Sequence, residues 1–155
     1  MDPSPHMRAA LELARASVAS GGGPFGAVVV RDGEIVGEGA NRVVPDADPT
    51  AHAEVVALRD AARRLGTHDL SGTEVYTSCE PCPMCLGALL WARVARIHFA
   101  GTRSDAAEAG FDDEAFYEEL ARPLTERHVP LVPDGREGAR AVFRAWLESP
   151  EREPY

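Results

Sequence analysis

Phe25-Gly26-Ala27-Val28-Val29-Val30-Arg31-Asp32-Gly33-Glu34-Ile35 decides the fold. Its unbroken apolar run, rich in β-branched valine, reads as a buried strand. Arg31-Asp32-Gly33-Glu34 carries the Asp-Gly signal of a tight hairpin, so Ile35 to Arg42 is expected to return antiparallel. Upstream, Met7, Ala10, Leu11, Ala14 and Val18 stand at helical spacing over 7–19, and Gly21-Gly22-Gly23 stops that helix. Downstream, Pro45-Asp46-Ala47-Asp48-Pro49 reads as a loop, and Thr50 is placed to cap a helix over 51–65. Thr73 to Thr77 reads as a strand. Pro81 then opens a helix to Ala92, a first-turn place where its missing N–H costs nothing. A strand over 95–100, a loop over 101–110, a helix over 111–120, a short last strand over 129–132 and a helix over 136–147 complete the reading. One hairpin followed by crossovers predicts an α/β chain with a mixed sheet between helices.

The 155 residues fit one domain with a sizeable core. A hydrophobic fraction of 45% and a charged fraction of 26% are ordinary for a globular protein. The formal net charge of −9 repels polyphosphate backbones, which argues against a nucleic-acid substrate and leaves a small neutral heterocycle unopposed. No run approaches the roughly 18 apolar residues of a membrane span. The start, Met1 to His6, lacks the basic and apolar regions of a secretory signal. All three cysteines fall between Cys79 and Cys85, a poor disulfide framework and a good metal or redox cluster. The cytoplasm is the compartment this usage implies.

The chemistry-bearing residues are His52-Ala53-Glu54 and, about thirty positions later, Pro81-Cys82-Pro83-Met84-Cys85. One imidazole and two thiolates supply three zinc ligands and leave the fourth tetrahedral position open to water. Cys82 and Cys85 are three apart at a helix start, so their sulfurs share a face, and the positive helix end favours the thiolate form. His52 and Glu54, two apart, lie roughly 200° around a helix and share no target in its middle. They converge only if the helix begins at or just before His52. Zinc lowers the pKa of bound water toward ~7, and Glu54 is the residue suited to move protons from that water to a ring nitrogen and to departing ammonia. Taken singly, a Cys-x-x-Cys is also a redox pair and a His-x-Glu is also a helix surface. Cys79 completes a C-x-x-C-x-x-C pattern, but three cysteines cannot hold a four-cysteine cluster within one chain. It reads as a small apolar residue at a strand end or as a redox-sensitive thiol.

Thr50-Ala51-His52-Ala53-Glu54-Val55 and the run from Tyr76 to Ala88 resemble the cytidine deaminase-like superfamily of zinc-dependent nucleobase deaminases. Gly23-Pro24-Phe25-Gly26-Ala27-Val28, Trp91-Ala92-Arg93, the stretch Asp105 to Asp113 and a final Tyr155 are similar to its bacterial guanine deaminase branch. That resemblance implies a three-layer α/β/α fold with a mixed five-stranded sheet and one zinc ion per subunit. It also implies conversion of guanine to xanthine and ammonia. Carried over by position, His52, Cys82 and Cys85 are ligands and Glu54 the proton shuttle. Asn41 bonds the base, Phe25, Ala53 and Trp91 line the pocket, and Asp113 meets the purine edge with N1 and the 2-amino group. The family further implies one deaminase domain over 1–155 and a homodimer. In that dimer the C-terminal segment, from about residue 129 to 155, is exchanged between subunits and brings Tyr155 to the partner's site.

Each of these has a plainer reading. Phe25 and Trp91 also suit a core, Asn41 a strand end, and Asp112 or Asp113 the opening of a surface helix. Glu80 is a neighbour of the ligands or a helix-start charge, and last residues such as Tyr155 commonly fray. The same machinery serves another free base, a nucleoside or an aminotriazine, and more distantly a tRNA adenosine.

Overall fold

The computed structural model describes residues 2–155. The chain divides into two compact units, one reaching to Glu114 and one running from Ala115 to Tyr155. The first unit begins with α1 (Pro5–Ala19), capped by Ser4, whose hydroxyl accepts from the Met7 N–H. Its buried stripe is Met7, Ala10, Ala14 and Ser17. Val18, expected in that stripe, is instead exposed, and Ser17 takes the inward place because its hydroxyl donates to the Asn41 carbonyl at 3.0 Å.

The hairpin forms as read: β1 (Gly26–Arg31) pairs antiparallel with β2 (Glu34–Ala40). Asp32 and Gly33 both take positive φ, 53° and 84°, the backbone that a two-residue turn of matching twist demands. After β2 the loop expected over 45–49 starts earlier, as a one-turn helix, α2 (Val43–Asp46). Pro45 sits in its first turn, where no N–H is needed. There follow α3 (Ala53–Leu65), β3 (Glu74–Cys79), α4 (Pro83–Trp91) and β4 (Arg96–Gly101). The helix expected from Pro81 therefore begins at Pro83, with Cys82 as its cap. The loop expected over 101–110 contains α5 (Arg103–Glu108), started by a reciprocal capping box between Thr102 and Asp105.

The sheet order is β2-β1-β3-β4, with β1 antiparallel to both neighbours and β3 parallel to β4. Alternation divides β1 between its faces. Gly26 turns to α1, where a Cβ would strike the Ala10 carbonyl and the Ala14 nitrogen. Ala27 and Val29 turn to the other face and join Ala53, Ala57, Leu58 and Ala61 of α3 and Leu89 of α4 in one core. Helices thus cover both faces, the three layers expected. The sheet has four strands among the described residues, not five. The strand expected over 129–132 is irregular chain, because Pro130 and Pro133 remove two ladder donors within four residues.

The rest of the chain is α6 (Glu114–Ala121), a 3-10 turn at Leu124–Glu126 and α7 (Arg136–Glu148). Val142, Phe143, Trp146 and Leu147 of α7 lie on one helical stripe and are all exposed.

Candidate active site

Two helix starts converge beyond one end of the sheet, where β3 and β4 finish in register at Cys79 and Gly101. His52 is the N-cap of α3 and Cys82 the N-cap of α4. Thr50, expected as the cap, is held instead by Asp48, which accepts from both its N–H and its hydroxyl at 2.8 and 2.7 Å. That turn delivers His52 in extended backbone at the helix entrance, the geometry that lets His52 and Glu54 face one point. His52 Nδ1 lies 3.5 Å from Cys82 Sγ and 3.5 Å from Cys85 Sγ, and the Cys85 thiol donates to Glu54 Oε2 at 3.4 Å.

These three donor atoms lie within 4.8 Å of one another. Tetrahedral zinc, with Zn–N near 2.05 Å and Zn–S near 2.3 Å, needs about 3.6 Å between nitrogen and sulfur. The spacing fits zinc. The electrostatics agree. The hydrogen bond from Cys85 holds the Cys82 thiol down to about 4, and the same bond, with burial, pushes Cys85 up. Two thiolates this close need a cation between them. The hydrogen bond to Cys82 raises His52, and burial raises Glu54, which is only 6% exposed.

The other expected residues differ in where they fall. Ala53 is fully buried in the first turn of α3. Asn41 is buried at the end of β2, and its Oδ1 accepts from the N–H groups of Gly23 at 3.2 Å and Val43 at 3.3 Å. Both carbonyl lone pairs are engaged, so only its NH₂ is left to face a base, not both ends of the amide. Phe25 packs edge-on against Phe111 with centroids 4.9 Å apart. Asp112 Oδ1 accepts from the Glu114 N–H at 3.0 Å, opening α6. Asp113 is instead half-buried; burial, then the charge of Cys82, raises its pKa, and its own charge is felt at His52. Trp91 is not brought to the ligands: it closes α4, about 13 Å along the helix axis from Cys82, and is 70% exposed. Tyr155 ends the second unit, 73% exposed. Beside Asp113 a cavity of about 520 Å³ opens, lined by Glu80, Arg103, Asp112, Asp113 and Glu114 among others. Arg103 had no signal in the sequence, because its partners are 23 and 11 positions away.

Residues 2–101 match the cytidine and deoxycytidylate deaminase zinc-binding region. A guanine deaminase of Bacillus subtilis (strain 168) is 46% identical over 156 residues, which span 100% of both chains. An X-ray structure of guanine deaminase from that organism superposes with a TM-score of 0.95, covering 100% of this chain and 99% of the other. A tRNA-specific adenosine deaminase of Haemophilus influenzae is 42% identical over 113 residues, 69% of this chain and 65% of its own. With helix-cap ligands at zinc spacing and a likeness running end to end, the chain belongs to the zinc-dependent cytidine and deoxycytidylate deaminase family, in its guanine deaminase branch.

Proposed function

We infer that this chain is a guanine aminohydrolase, replacing the exocyclic amino group of guanine with oxygen from water to give xanthine and ammonia. The observation that carries the reading is the end-to-end identity of 46% with a guanine deaminase, tail included. Zinc, when held by His52, Cys82 and Cys85, supplies the Lewis acidity that makes water ionise near neutral pH. Glu54 accepts the proton from water, returns it to a ring nitrogen, and carries a proton to the leaving ammonia. One buried carboxyl group suits both transfers, since its raised pKa lets it hold a proton between them. Asn41 donates from its NH₂ to a ring acceptor, Ala53 floors the pocket and Phe25 walls it. Asp113 accepts from N1–H and the 2-amino group.

The whole chain, 1–155, acts as one deaminase domain in a homodimer that exchanges the segment from about 129 to 155. The uncovered apolar stripe of α7 supports the exchange. Trp91 lines the rim of the pocket, and Tyr155 reaches the partner's site through the exchanged tail. Among the described residues no helix is long and apolar enough to cross a membrane. The three free cysteines, two of them at the metal site, favour the cytoplasm.

The test is turnover by zinc-loaded protein on guanine, guanosine, cytosine, cytidine, adenine and ammeline. Guanine is expected to give the highest kcat/KM with stoichiometric xanthine and ammonia. No xanthine from guanine would sink the reading.

A further inference from the structure

Glu80 separates β3 from the zinc-ligand segment, and its surroundings are more constrained than a linker requires. Its N–H donates to the Gly101 carbonyl at 2.8 Å, which ties the segment to the end of β4. Its carboxylate accepts from the Arg103 backbone N–H at 3.1 Å and meets the Arg103 guanidinium at 3.4 Å. Arg103 is the first residue of α5, so the carboxylate also sits where the positive end of that helix favours it. The same guanidinium reaches across the cavity to Glu114 Oε2 at 3.5 Å. Glu114 follows Asp113 directly and opens α6. A single planar fork therefore spans two carboxylates, a task for which arginine is preorganised and lysine is not.

We propose that Arg103 is a positioning residue: by bridging Glu80 and Glu114 it holds the segment that carries Cys82 and Cys85 in register with the segment that carries Asp113. The inference rests on Asp113 as a contact to the base. Arg103 is 38% exposed and Glu114 62% exposed, and ion pairs as open as these contribute little to stability. Their use is geometric. Arg103 is also the cation that partly offsets the burial of Asp113 and so keeps its carboxylate available. Slack in a substrate-fixing group weakens productive binding far more than it weakens the fold.

The experiment compares the wild type with Arg103→Met, Glu114→Gln and the double variant, on guanine. Arg103→Met is expected to raise KM about tenfold while kcat stays within about threefold. Zinc is expected to stay at one per chain, and the melting temperature to stay near that of the wild type. Amide hydrogen exchange over 110–116 is expected to quicken in both single variants. The double variant should be no worse than Arg103→Met alone, because both changes cut one bridge. An unchanged KM, or additive effects in the double variant, overturns the proposal. If Arg103→Met does not fold, Glu114→Gln decides alone: a raised KM supports the bridge and an unchanged KM overturns it. If the wild type prefers another base, the guanine reading falls while the same KM comparison on that base still decides the role of Arg103.

Discussion

Glu54 combines near-complete burial with a raised pKa at a helix entrance, where its carboxylate accepts from a backbone N–H and the Cys85 thiol. Glu54→Gln keeps the shape and removes the proton. Activity is expected to fall by about 10²–10⁴ while bound zinc, measured by atomic emission, stays at one per chain. Cys79 gives a second residue-scale expectation. Burial pushes its thiol up to about 11, so at neutral pH it is a neutral group and a poor nucleophile. In zinc-loaded protein its alkylation by iodoacetamide should climb about tenfold per pH unit from 7 to 10. Rapid, pH-independent labelling of the Cys79 peptide at pH 7, read by mass spectrometry, would contradict this. At this scale the zinc ligands were legible because their types and spacing answer to one ion. Asn41 was half legible: its burial at a strand end fits the reading, but its oxygen is spent on Gly23 and Val43, which no spacing rule foretells. Arg103 was illegible, since a bridge across three separate segments exists only after folding.

The helix that presents His52 and Glu54 is placed by glycines of β2. At Gly39 a Cβ would strike the Ala53 carbonyl and the Ala57 nitrogen, and at Gly37 it would come within 2.6 Å of the Ala57 carbonyl. Backbone cannot yield there as a flexible side chain would. Gly39→Ala should cost about 1–3 kcal/mol in urea unfolding and weaken zinc retention, because α3 lifts with its first turn. A variant of full stability and full zinc content would show that α3 docks by other means. Element type was legible wherever periodicity was strong, as in α1, β1 and α3. It failed at short elements: α2 contains Pro45, which reads as a breaker, and α5 starts from the Thr102 and Asp105 capping box with no apolar stripe to announce it. The fifth strand is absent among the described residues because Val129, Leu131 and Val132, though apolar, are interrupted by Pro130 and Pro133, which supply no donors.

At the scale of the molecule, the stripe of α7 is an uncovered apolar feature of the second unit. Phe143 is 68% exposed and Trp146 43% exposed, an arrangement that water disfavours. In the proposed homodimer, Phe143→Glu with Trp146→Glu should shift sedimentation velocity from dimer to monomer and lower turnover with it. A dimer of unchanged stability and activity would mean that α7 plays no part in assembly. The net charge of −9 fits a substrate without phosphates, an expectation that rests on the sequence alone. The helix of the tail was legible in its periodic apolar residues, Val142, Phe143, Trp146 and Leu147, whereas its proposed exchange came only from family likeness. The two converging helix caps have a consequence for descent. All three ligand positions and Glu54 fall inside residues 2–101, the matched deaminase zinc-binding region, and Asp113 and Tyr155 fall outside it. On the proposed site, a lineage can keep the reaction as inherited and still retune which ring it accepts from the later third of the chain, with no renegotiation of the metal.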